Sequence, residues 1–179
     1  MKISKNGICL MLLVVLSSCS SNQSLQQYYV AKSENPNFIS VDLPVSLLNV
    51  EKADLSLEQK SVLESLRKLN ILAFKKDGTN TVDYQKERTN IRAILKDSDF
   101  TELMKMKTSF GDATITYSGD EDAIDEVIVY GDNDEKGFLL VRILGDDMNP
   151  AKMIQFLQVI AKSDYNGEGL EQLGQFLKN

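Results

Sequence analysis

Residues 112–144, "DATITYSGDEDAIDEVIVYGDNDEKGFLLVRIL", constrain the fold more than any other part of this chain: three stretches rich in β-branched and aromatic residues are separated by only a few polar ones. Such residues fit a pleated, half-buried surface, and Ala113, Ile115 and Tyr117 alternate onto one face of the first stretch. A parallel crossover needs a dozen or more residues, so loops this short leave one arrangement, an antiparallel three-stranded meander.

A sheet must have an apolar face covered, and the flanking segments offer helices to do it. Ser56 and Gln59 have capping-box spacing, and Val62, Leu63, Leu66 and Leu69 recur at helical intervals, which predicts a helix to about Lys68. "NILAF", residues 70–74, is expected to form a short buried strand ended by the turn Lys76-Asp77-Gly78. From Val82 to Lys107 the pattern predicts two helices meeting at a corner. Ile91, Ile94 and Leu95 face inward from the first, Phe100, Leu103 and Met104 from the second, with Asp97 or Ser98 as cap. Pro44, followed by Val45, Leu47 and Leu48, suggests a short helix before these. Asn149 and Pro150 suggest the cap and first position of another, with Met153, Ile154, Leu157 and Ile160 inward. Leu170, Leu173, Phe176 and Leu177 mark a last amphipathic piece. The expected class is α+β: a mostly antiparallel four-stranded sheet, in which the meander is joined by one strand through a right-handed helical crossover, with helices covering one face.

Residues 1–18 have the parts of a secretory leader: Lys2 and Lys5 in front, an apolar core from Ile8 to Leu16, and small residues at the end. That core is about half as long as a membrane span requires. Leu16-Ser17-Ser18-Cys19 resembles the lipobox of bacterial lipoproteins, in which the cysteine sulfur is acylated and becomes the first residue of the mature chain. Multiple acyl chains on Cys19 suffice for stable membrane attachment. The expected organisation is a signal peptide over 1–18, a lipidated Cys19 with a flexible tether to residue 37, one α+β domain over 38–165, and a C-terminal amphipathic segment over 166–179. The tether is rich in Ser, Asn and Gln. It lacks an early acidic cluster that in some envelope lipoproteins marks export outward, which favours a position at the outer membrane facing the periplasm.

The whole chain carries −6, and loss of Lys2 and Lys5 with the leader takes the mature chain to −8. With no basic stripe to offset this, binding of nucleic acid is excluded and attachment to anionic lipid must come from the acyl chains. Histidine is absent and Cys9 leaves with the leader, so Ser-His-Asp and Cys-His catalysis and the usual zinc ligands are excluded. Neither a GxGxxG nor a P-loop occurs, and no cofactor is expected.

"EDAIDEVIVYGDNDEKGFLLVRILGDDMNPAKM", taken with "FISVDLPVSLLN" and the leader, resembles domain-of-unknown-function family 4252, small envelope proteins common in Bacteroidota. The resemblance runs from about Phe38 to Ala161. It implies an envelope module and carries no activity or catalytic residue onto any position.

Candidate sites are few. Asp132 and Asp134 stand at positions one and three of a calcium-type loop with Gly137 at six, but Lys136 stands at five and Ile143 at twelve, where a bidentate Glu is required. A solvated hairpin turn explains the same residues. Acidic groups at Asp120-Glu121-Asp122 and Asp146-Asp147 fall at one end of the meander, where two carboxylates at a suitable separation would suit glycan hydrolysis. The aspartates beside Asn149 fit a helix dipole better than an anion site. Thr114, Thr116, Val127, Val129, Leu140 and Arg142 are expected on the open face of the sheet, a surface suited to a protein. The leading expectation is therefore a non-enzymatic, lipid-anchored accessory or signalling module binding an envelope protein; a carboxylate-dependent glycan hydrolase and a small-ligand or cation-binding lipoprotein are the alternatives.

Overall fold

The computed structural model describes residues 23–47, 56–108 and 110–155. Cys19 and its lipobox, and the segment 156–179, lie outside the described residues. The first element, α1 (Leu25–Ser33), falls where the sequence suggests a tether. Its start is a capping box: the Ser24 hydroxyl accepts from the Gln27 amide at 3.2 Å and the Gln27 side chain accepts from the Ser24 amide at 3.0 Å. Leu25, Tyr28 and Tyr29, at i, i+3 and i+4, are buried. Three large side chains on one stripe thus anchor an otherwise polar segment to the domain.

β1 (Phe38–Pro44) follows, and a single 3₁₀ turn over Val45–Leu47 comes after it. Pro44 ends an edge strand, where its missing N–H costs nothing, and the short helix expected after it is present as the 3₁₀ turn; Leu48 lies outside the described residues. α2 (Leu57–Ser65) has the expected capping box at Ser56 and Gln59 but stops short of Lys68, because Leu66 already begins β2 (Leu66–Lys75). α3 (Thr81–Ile94) buries Tyr84, Glu87 and Ile91. The helix expected after the corner is instead the strand β3 (Thr101–Lys107), whose Met104 and Met106 alternate with exposed Lys105 and Lys107. The meander forms as β4 (Asp112–Asp120), β5 (Ala123–Asn133) and β6 (Gly137–Met148). A last helix, α4, is described over 150–155, with the Asn149 side chain accepting from the Lys152 amide at 3.1 Å.

The sheet has six strands, not four, in the order β1-β2-β6-β5-β4-β3, and every neighbouring pair is antiparallel. The expected parallel crossover is absent because β2 pairs antiparallel with both β1 and β6. β1 and β3 become strands because each finds a free sheet edge. Helices lie on both faces. α1 and α3 cover a cluster containing Phe38, Leu72, Phe74, Tyr84, Phe138 and Leu140, in which the rings of Phe74 and Phe138 stack at 5.6 Å and Phe38 meets Phe74 edge-on at 5.1 Å. α2 and α4 supply Val62, Leu63 and Met153 to a second cluster with Ile115, Val127 and Ile143 on the other face.

The register also divides the residues expected on one open face. Thr116 lies opposite Ile128, and Ile128 opposite Arg142, whereas Ile115 lies opposite Val129. Thr114, Thr116, Leu140 and Arg142 thus share the face of α1 and α3, and Val127 and Val129 belong to the other. Gly137 permits the closest approach in the sheet: its φ is +119°, and a Cβ there would lie 1.9 Å from the Phe74 carbonyl oxygen. Among the described residues no helix is long and apolar enough to cross a membrane.

Candidate functional site

Arg88 and Arg92 stand one turn apart on α3, so both guanidinium groups project toward the end of β5. Both bind Asp132. Arg88 donates to one carboxylate oxygen at 2.9 Å, and Arg92 donates to the other from Nε at 3.0 Å and from Nη2 at 2.6 Å. Arg88 also reaches Asp134 at 2.7 Å. Burial pushes the Asp132 carboxyl up, but the hydrogen bond from Arg88 and the charges of both arginines outweigh it and hold the group below the usual value. Asp132 stays ionised and fixes α3 against the sheet.

Beside this clamp, between α3 and β4, lies an open groove of about 630 Å³. Thr114, Thr116 and Tyr130 line it from the sheet, Glu102 and Asp112 from its outer strands, and Leu95 and Phe100 give it an apolar end. Its volume falls within the usual range for small-molecule sites, roughly 300 to 1,000 Å³. Two buried polar atoms of its lining residues, Arg88 Nε and Thr116 Oγ1, have no hydrogen-bond partner among the described residues. Thr116 and Tyr130 are only 6 % and 7 % exposed. The Tyr130 hydroxyl lies beside Asp132; burial first, and then the charge of that carboxylate and a hydrogen bond to it, push its ionisation far above the ordinary tyrosine value. It is a fixed O–H. Burying a polar group unpartnered costs on the order of 1–3 kcal/mol, so Arg88 Nε and Thr116 Oγ1 are polar atoms of the lining without protein partners.

The structure brings Asp132 and Asp134 together as the sequence suggested, yet around two arginines that already supply positive charge. Among the described residues no group of three His, Cys, Asp or Glu side chains gathers to hold a metal ion. Asp120, Glu121 and Asp122 do share one end of the sheet with Asp146 and Asp147, since Asp120 pairs with Ala123 and Ile124 with Met148. All five are exposed, and Asp146 meets Arg67 at 2.9 Å. Arg142 is not on an open polar face: it is 4 % exposed, donates to Glu126 and to Gln26, and sits 5.7 Å from the Tyr29 ring, so α1 covers it.

Sequence reasoning placed Thr114 and Thr116 on a binding face, and both line the groove, but it passed over Arg88, Arg92 and Tyr130. The signal for the first two was present: Arg88, Arg92 and Lys96 recur at four-residue spacing and make a short basic row, although the carboxylates of Asp132 and Asp134 absorb much of its charge. Nothing local in "VIVYG" marked Tyr130 as a groove residue.

These features define an α+β domain with a six-stranded antiparallel sheet and a polar groove beside one helix. The chain matches the family described as domain of unknown function (DUF4252) over residues 28–156, and it belongs to that family. The match begins inside α1, so α1 is part of the family's domain. No curated protein and no solved structure gives a significant match.

Proposed function

We propose that this protein is a lipid-anchored bacterial envelope component, held to the outer membrane through acyl chains on Cys19 and facing the periplasm. Its domain acts without catalysis by binding a protein partner in the groove beside α3. The observation that carries this reading is an open groove whose lining includes two residues, Arg88 and Thr116, with a buried polar atom that has no partner among the described residues. A binding role also fits the state of Asp132: a carboxylate clamped by two arginines and kept ionised is a poor proton donor.

A photocrosslinking residue placed at Thr114, in the groove, and another at exposed Val82 on α3 test the proposal in native envelopes. The expected result is one dominant envelope protein captured from position 114, not from position 82, and reduced when Arg92→Gln is added. Equal capture from both positions, or capture indifferent to Arg92→Gln, overturns the assignment of the groove.

A further inference from the structure

We propose that the groove recognises a carboxylate group, presented next to an apolar portion of the same ligand; this rests on the reading of the groove as the binding site. The unpartnered atoms decide the chemistry. Arg88 Nε is a donor only, whereas the Thr116 hydroxyl can donate or accept, so the arginine sets the demand. The complement of such a lining is an acceptor. The charges around it agree: Arg88, Arg92 and Lys96 set three cations against the two carboxylates of Asp132 and Asp134 at the α3 side. Arg92 keeps about half of its side chain exposed, and Lys96 makes no ion pair among the described residues. Of the acids of the opposite wall, Glu102 pairs with Lys105 at 3.1 Å, and Asp112 lies across the ladder from Lys107. The groove lining holds four carboxylates and three cations, so a ligand's negative group would be met by the half-exposed Arg92 and by Lys96. Leu95 and Phe100 bound the groove with apolar surface, so the ligand carries hydrocarbon beside its carboxylate.

A carboxylate of this kind comes from a peptide terminus or acidic side chain, or from a sugar acid. The lipidated full chain in detergent is titrated by calorimetry with N-acetyl-leucine, with its uncharged amide, and with glucuronate against glucose. N-acetyl-leucine binding at least about tenfold tighter than its amide supports the inference through a peptide carboxylate, and glucuronate binding about tenfold tighter than glucose supports it through a sugar acid. Arg92→Gln removes the preference in either case. Thr116→Val, nearly the same shape without the hydroxyl, weakens binding while leaving thermal stability equal or higher, because it removes a buried unpartnered group. Acid and neutral probes that bind alike, or a preference that survives both substitutions, overturn the inference. Capture from position 114 that persists without any acid preference sinks this inference alone; an acid preference without capture sinks the partner assignment alone.

Discussion

Glu87 is 7 % exposed, accepts a hydrogen bond from the Tyr28 hydroxyl at 3.0 Å, and pairs with Lys32 at 2.7 Å. The carboxylate joins α3 to α1 through two groups that both lose their partner if it is removed. Glu87→Ala should therefore destabilise the domain by about 3 kcal/mol, measured by urea unfolding, and Lys32→Ala should also be destabilising, because it leaves the more buried carboxylate without its ion pair. Asp132 provides a pH handle. Its carboxyl is held below the ordinary value of 3.8, so its contribution is complete above that value and is lost as pH falls through the depressed one. The stability difference between the protein and Asp132→Asn should be constant at neutral pH and shrink below about pH 4. At the alkaline end the sign reverses. Burial first, and then the hydrogen bond to Asp42, push Tyr29 up to about 12, so its contribution is present below pH 10.0 and fades as pH rises toward that higher value. Tyr29→Phe should flatten this alkaline loss in a denaturation series.

Among the elements, α1 departs furthest from expectation. A truncated protein beginning at Phe38, the domain boundary that composition suggests, would lose the side chains of Leu25, Tyr28 and Tyr29 from the cluster under α1 and α3. It would also expose Arg142, Ser40 and Asp42, which α1 residues bond through Gln26 and Tyr29. Large buried side chains cost roughly 2–5 kcal/mol each when removed, so this truncation should fail to give a cooperative unfolding transition, whereas one beginning at Asn22 should retain it. Thermal unfolding followed by circular dichroism separates the two outcomes. The signal for α1 was in the sequence, since Ser24 and Gln27 repeat the capping-box spacing of Ser56 and Gln59. The polar composition around it hid the three-residue stripe. β3 was misread for a different reason: Phe100, Leu103 and Met104 satisfy a helical period, while the Met-Lys alternation at 104–107 satisfies a strand period, and a short segment can satisfy both.

For the whole molecule, the position of α1 changes the anchoring. Only Ser20 to Gln23 separate Cys19 from the cap of α1, so an acylated Cys19 would hold the folded domain within about 18 Å of its anchor instead of at the end of a long tether. Cys19→Ala should move the protein from the membrane to the soluble fraction after lysis, checked by fractionation and blotting. Lengthening the Ser20–Gln23 segment with glycine and serine should leave fractionation unchanged and alter only the partners captured if, as proposed, attachment is through acyl chains on Cys19.

The meander, the capping box of α2, the Asn149 cap and the family were legible from sequence because each rests on local chemistry: short loops, side-chain hydrogen bonds within a turn, a contiguous run of residues. The rest was decided only by tertiary structure. Whether "FISVDLP" and "TELMKMK" become strands depends on the free edges offered by β2 and β4, which lie elsewhere in the chain. The face on which Thr116 and Arg142 lie depends on registers shared by three strands, and the groove exists because α3 carries Arg88 and Arg92 to an aspartate 44 and 40 residues away. Burial and pairing are properties of distant segments brought together, and no single window of sequence contains both partners.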